Sequence, residues 1–390
     1  LAMMAIGEFA VVKDKWNGID VDYYVEPAFE PHAKAIFGET PTMLDFYSKV
    51  LDYPYTWEKY SQVVVRDYVS GAMENTTATI HGEFLHRTDR ELLDGDNEEI
   101  IAHELFHHWF GDLVTCESWS NLPLNESFAT YGEYLWLEHR HGRDAADRHG
   151  NSQMRQYIAS VAQTGHVDMI RFYYANKEDM FDAHSYNKGG RILHMLRKTI
   201  GDEAFFKGLN LYLKQNEFNA VEMHQLRLAM EEVTGMDLNW FFNQWFFAKG
   251  HPSITIDHSY SEEAKKYTVS ISQTQDTKEF PLYRIPMDVD IYFGGAVNRY
   301  RIELSEQEQS FEFDVLGKPS LVNVDAEQML LGTKEESLSE DEYVFMLKYA
   351  PLYLDKAEAL KGLKSSNDQE VVTTIINTLD DAFWGTRRKA

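Results

Sequence analysis

The chain has 390 residues, room for two or three domains at roughly 150 residues each. Its 44% hydrophobic and 14% aromatic content can bury a large core, which excludes disorder over most of the length. A formal net charge of −26 repels phosphate backbones and anionic lipid heads, so nucleic acids and membrane surfaces are poor partners.

The start, Leu1-Ala2-Met3-Met4-Ala5-Ile6, is apolar, with no initiator Met and no charged stretch before it. Residues 1–12 therefore read as a buried strand rather than a signal peptide, and the chain as a piece of a longer protein. Residues 30–51 have helical spacing (Ala33, Ile36, Phe37, Met43, Phe46, Tyr47, Val50), with a break expected near Pro41. Ser61 to Val69 is rich in β-branched residues and reads as a strand, as does Thr76 to Leu85. Residues 97–250 read as mostly helical. From Ser253 to Asp325 apolar residues alternate, with a hairpin turn at Gly294-Gly295, which implies a small all-β domain, a sandwich. Lys334 to Asp341 is charged and reads as a linker, and residues 342–383 return to helical spacing. No apolar run approaches the ~18 residues of a membrane helix. The single cysteine, Cys116, fits a cytoplasmic protein, and also a periplasmic or secreted one built without disulfides.

The chemistry begins at His103-Glu104-Leu105-Phe106-His107, an H-E-x-x-H pattern. Residues four apart share one helix face, so His103 and His107 can aim two ring nitrogens at one tetrahedral zinc. Glu104 lies beside them, placed to reach a metal-bound water. Asp96-Asn97-Glu98-Glu99 supplies a helix cap and first-turn acids. A chain of this composition contains the pentapeptide by chance in roughly one case in twenty, and a core helix with two backbone-bonded histidines is the bland alternative. A catalytic zinc needs one more protein ligand and an open position. Glu126 follows His107 after eighteen residues, enough for a loop and a returning helix that Pro123 would start. Glu133 lies two turns further on the same face, either orienting a ligand histidine or standing as an ordinary surface glutamate.

H-E-x-x-H, eighteen residues, then Glu126 after Asn125 resembles the signature of the gluzincin aminopeptidases of the aminopeptidase N type. Gly71-Ala72-Met73-Glu74-Asn75 resembles their exopeptidase motif, and Asp182 to Gly190 resembles the segment carrying their catalytic tyrosine. The resemblance implies one zinc ion held by His103, His107 and Glu126, with Glu104 as general base and Tyr186 as oxyanion stabiliser. It implies that Glu74 anchors the free α-amino group of a peptide, with Gly71, Ala72, Met73 and Asn75 beside the substrate chain. It also implies an α+β fold: a thermolysin-like zinc catalytic domain over 13–250, a β-sandwich over 251–333, and the start of a helical domain over 334–390. Residues 1–12 would be the last strand of a preceding β domain. The expected activity is removal of N-terminal residues from peptides. The alternatives are a zinc endopeptidase, an epoxide hydrolase of the same superfamily, and a peptide-binding module without turnover. The first leaves Glu74 unexplained, Ala72 stands where the epoxide-hydrolysing relative has Gly, and the third needs neither Glu104 nor Tyr186.

Overall fold

The structure, a computed structural model, describes residues 3–390. It mixes helices with several sheets and divides into two compact units. One holds residues up to Leu137 with Ile170–Leu193 and Ile200–Leu238; the other holds Glu138–Met169, His194–Thr199 and Asn239–Ala390.

The first unit opens with a hairpin of β1 (Ala10–Trp16) and β2 (Ile19–Val25), turning at Asn17 and Gly18, both at positive φ. The strand expected over residues 1–12 starts only at Ala10, and Met4 and Ile6 are 80% and 84% exposed. The pairing ends with Ala10 opposite Val25, and Pro27 follows without an N–H to extend the ladder. Leu1 and Ala2 lie outside the described residues. Helix α1 (Ala33–Phe37) and α2 (Thr40–Val50) follow. Their break falls at Gly38-Glu39, and Pro41 sits in the first turn of α2, where its missing N–H is no loss. Strand β3 (Lys59–Val65) pairs parallel with β2 and with β5 (Ala78–Gly82); the short β4 (Ala72–Met73) lies antiparallel to β5 at the sheet edge.

Next come α3 (Glu98–Phe106), β6 (Val114–Cys116) and α4 (Pro123–His141). Helices α5 (Arg143–Thr164), α6 (Gly189–Ile200), α7 (Asp202–Asn216) and α8 (Met223–Thr234) follow, with β7 (Asn219–Val221) parallel to β6. Helices α3 and α4 meet at a glycine. A Cβ at Gly132 would lie 2.7 Å from Phe106 Cγ, inside any real contact distance. The Tyr47 hydroxyl of α2 donates to the Gly132 carbonyl at 2.8 Å. Phe106 in turn stacks on Phe110, and Phe110 on Phe128 of α4, with centroids 4.9 and 4.2 Å apart. This dry aromatic layer holds the two helices in register.

The second unit contains α5, α9 (Asn239–Trp245) and two sheets. One runs β11 (Ala296–Leu304), β10 (Ile285–Phe293), β13 (Leu321–Val324); the other runs β12 (Glu308–Asp314), β9 (Lys266–Gln273), β8 (Ser253–Ser261), β14 (Thr333–Glu336). Gly294-Gly295 closes the β10–β11 hairpin, as its composition predicts. The expected linker does not hold at its start: Thr333–Glu336 is a strand, parallel to β8. Two of its charges, Lys334 and Glu336, are largely buried and paired. Lys334 lies 2.9 Å from Glu336 and 3.1 Å from Glu358, and His258 lies 2.7 Å from Glu336. Helices α10 (Glu340–Tyr349), α11 (Tyr353–Leu363), α12 (Gln369–Asn377) and α13 (Trp384–Lys389) complete the chain. Met346, Leu347, Leu360 and Leu363 share one core with Tyr292 and Leu321 of the sheet.

The close approach at Gly132 yields a test. Gly132→Ala forces a methyl against a buried ring and is expected to destabilise the chain by about 1–3 kcal/mol. Chemical denaturation measures this; an unchanged midpoint would show that the helices part without cost.

Candidate metal centre

The site grows out of α3. The Glu98 N–H donates to Asp96 Oδ1 at 3.2 Å, so Asp96 rather than Asn97 caps the helix, and Asn97 takes a left-handed conformation. Glu98 and Glu99 fill the first turn, where negative charge suits the helix dipole. The His107 N–H still donates to the His103 carbonyl at 3.3 Å, so helical spacing reaches His107 just as α3 ends. Both imidazoles therefore face one side.

Helix α4 brings in the third group. Glu126 Oε2 lies 3.3 Å from Nε2 of His103 and 3.3 Å from Nε2 of His107. The two rings stand at 77° with centroids 4.9 Å apart. Each outer nitrogen is held as well: His103 Nδ1 lies 2.7 Å from Glu133 Oε1, and His107 Nδ1 3.1 Å from the Phe110 carbonyl oxygen. A carboxylate and a carbonyl only accept, so each Nδ1 donates outward and each Nε2 is left facing Glu126. The ligand atoms of the three buried residues lie within 4.8 Å of one another. Glu104 is buried beside them, and among the described residues no hydrogen-bond donor reaches its Oε2. Two imidazoles and one carboxylate on a common point, with a carboxylate oxygen left free next to it, fit a tetrahedral metal with one open position.

The electrostatics follow from burial and crowding. Burial pushes the Glu104 carboxyl up to about 8, against the pull of His103 and His107. Burial disfavours protonation of His107, but the charges of Glu74 and Glu126 prevail and hold it at about 9. His103 is likewise raised, by Glu126 and Glu133 acting against burial. Glu126 is held well below the carboxylate range, because His107 and His103 outweigh its burial. Two protons thus sit where a divalent cation would bind.

Tyr186 lies in a single π-helical turn, His184–Lys188, and its ring stacks 6.1 Å from His103 at 11°. Burial, with the charge of Glu126 beside it, pushes its phenol well above the usual range, so it stays a donor. The Ser127 hydroxyl, next to Glu126, donates to the Ser185 carbonyl at 2.7 Å and ties that turn to α4. Asp182 Oδ1 accepts the N–H groups of His184 and Ser185 at 2.9 and 3.1 Å. Ala72 and Met73 form β4 at the sheet edge, and the Gly71 carbonyl accepts the Gly82 N–H at 2.9 Å. Glu74 follows β4 directly, and its charge is felt at Glu104 and His107. The Asn75 carbonyl accepts the Ala78 N–H at 2.8 Å, which closes the turn after Glu74.

Ser127 and His108 carry no motif signal; their partners Ser185 and Thr77 come from other segments. His108 is buried, and burial pulls it down to about 3. His81 is a core residue 3.0 Å from Gln62, and burial pushes the Cys116 thiol up to about 12.

Residues 36–245, more than half of the chain, match the Peptidase family M1 domain. The chain is 33% identical over 263 residues to aminopeptidase N of Streptomyces lividans, covering 64% of this chain and 30% of that one. It is 26% identical over 345 residues to aminopeptidase N of Escherichia coli strain K12, covering 80% and 39%. In fold it is similar to Legionella pneumophila aminopeptidase A in complex with aspartic acid, with a TM-score of 0.75 at 19% identity over 96% of this chain and 43% of that one. It spans less than half the length of each.

Two results are expected. His107 carries a proton below about pH 9 that a cation must displace, so metal affinity falls as pH falls. Zinc titrations between pH 8 and pH 6 are expected to show at least about tenfold weakening per unit; an affinity independent of pH would contradict the ligand set. Glu133→Gln, which loses the charge on His103 Nδ1, is expected to weaken metal binding about 10–100-fold, measured by competition with a chelator.

Proposed function

The chain belongs to peptidase family M1, and on that premise we propose that it is a zinc-dependent aminopeptidase acting on peptides with a free N-terminus. The observation that carries the reading is the convergence of His103, His107 and Glu126 beside the free carboxylate oxygen of Glu104, with Glu74 at the end of an edge strand. In this reading residues 13–250 are a thermolysin-like catalytic domain, 251–333 a β-sandwich, and 334–390 the start of a helical domain.

His103, His107 and Glu126 hold the ion, which when bound supplies a Lewis acid that polarises the scissile carbonyl and acidifies a water. Glu104 takes the proton of the attacking water on Oε2 and passes it to the leaving amine. The Tyr186 hydroxyl donates to the oxygen on which charge develops, a contact worth about 3–4 kcal/mol in comparable sites. Glu74 binds the substrate ammonium. Because it sits at a set distance from the ligands, it admits only the first peptide bond to the reacting position. The outer edge of β4 is unpaired within its sheet, and the substrate backbone adds to it beside Gly71, Ala72, Met73 and Asn75. Glu133 orients His103 from behind.

Glu104→Gln removes the base but no ligand. It is expected to keep stoichiometric zinc and lose at least about 10²–10⁴-fold in kcat; a variant with near-normal turnover sinks the mechanism. Glu74→Ala is expected to cut kcat/KM on free-amino peptides far more than on their N-acetylated twins. Equal losses on both would remove the anchoring role.

A further inference from the structure

His108 directly follows one of the ligand residues, and both its ring nitrogens are engaged. The Thr77 backbone N–H donates to Nε2 at 3.0 Å. A nitrogen that accepts an N–H carries no proton, so the ring proton sits on Nδ1. Nδ1 lies 3.3 Å from the Glu104 carbonyl oxygen, to which it donates. In a continuing helix that carbonyl would receive the His108 amide. Here the His108 amide donates to the Leu105 carbonyl instead, because α3 stops at Phe106. The ring therefore completes the last turn of the helix that carries Glu104. Tyr60 meets it edge-on with centroids 4.9 Å apart, and Tyr55 lies at 5.6 Å.

Thr77 supplies an independent observation. It is β-branched and sits at φ +67, a left-handed conformation costing roughly 1–3 kcal/mol unless its surroundings impose it. Its carbonyl accepts the Ser61 N–H of β3 at 2.8 Å, and its amide goes to His108. The turn closed by Asn75 and Ala78 is thus pinned from the sheet on one side and from the end of α3 on the other. Glu74 immediately precedes that turn.

We propose that His108 is a positioning residue for the amine anchor: by clamping Thr77 to the Glu104 end of α3, it fixes how far Glu74 stands from the metal ligands. The proposal rests on the reading of Glu74 as the anchor. One ring touches the backbone of the residue that moves the proton and the loop of the residue that grips the substrate. Of the contacts that pin the turn, this one side chain supplies the link to the helix that carries Glu104.

The test uses the zinc-loaded Glu104→Gln chain, so that turnover does not interfere. Calorimetry gives the affinity for trialanine and for N-acetyl-trialanine, and their ratio reads the amine anchor. His108→Leu fills the volume without offering an acceptor, and is expected to cut the ratio at least about tenfold. His108→Gln restores an acceptor for the Thr77 N–H and is expected to recover the ratio. Zinc affinity stays unchanged in both. Added to Glu74→Ala, His108→Leu is expected to change the ratio no further, because both act through one contact. A ratio that survives His108→Leu, or a loss additive with Glu74→Ala, overturns the proposal and leaves the anchor standing. No preference for the free amine in the starting chain removes the anchor and the proposal together. If the leucine variant does not fold, hydrogen exchange at the Thr77 amide of the unaltered chain decides. Exchange slowed at least about a hundredfold supports the clamp, and exchange at the rate of an open loop overturns it.

Discussion

The centre depends on one steric constraint, the approach of α4 to α3 at Gly132. With the Phe106 side chain packed directly on the glycine, α4 adds no side chain of its own between the helices at that level. Glu126 and Glu133, two turns apart on α4, then reach two sides of the same histidine. His103 is gripped at both nitrogens, and His107 is held by Glu126 and the Phe110 carbonyl. A wider spacing would leave Glu126 short of one imidazole or the other. The aromatic stack of Phe106, Phe110 and Phe128 makes such widening costly, since it would open a void in a dry core.

The remaining groups are attached to this pair of helices by short, specific contacts. Ser127 ties the π-helical turn of Tyr186 to α4 one residue from Glu126. Asp182 caps that turn through two amides, and is itself held 2.9 Å from the buried Arg171. His108 ties the turn after Glu74 to the end of α3. Such contacts hold the grouped side chains in fixed relative positions, and in the proposed function that preorganisation is where the catalytic gain lies.

Much of this was legible in the sequence because local periodicity carries it. The i, i+4 spacing of His103 and His107 and the i, i+7 spacing of Glu126 and Glu133 are helical geometry, and the structure brings those residues together. The alternation after Ser253 and the Gly294-Gly295 turn are strand geometry, and β8 to β11 follow them. What was not legible depends on partners distant in sequence. His108 reads as an idle neighbour of a ligand until Thr77, thirty-one residues earlier, meets it. Lys334 and Glu336 read as a solvated linker because composition does not show that Glu358 and His258 neutralise them inside the fold. The apolar start reads as a strand, but among the described residues none pairs with 3–9 as a neighbouring strand.

X-ray absorption on the zinc-loaded chain tests the central claim most directly. The account predicts one ion with two imidazole nitrogens and a carboxylate oxygen as its protein ligands, at about 2.0–2.2 Å. Loss of the second imidazole from the spectrum of the His107→Ala variant would agree with it. A sulfur ligand from Cys116, or an unaltered spectrum in that variant, would contradict it.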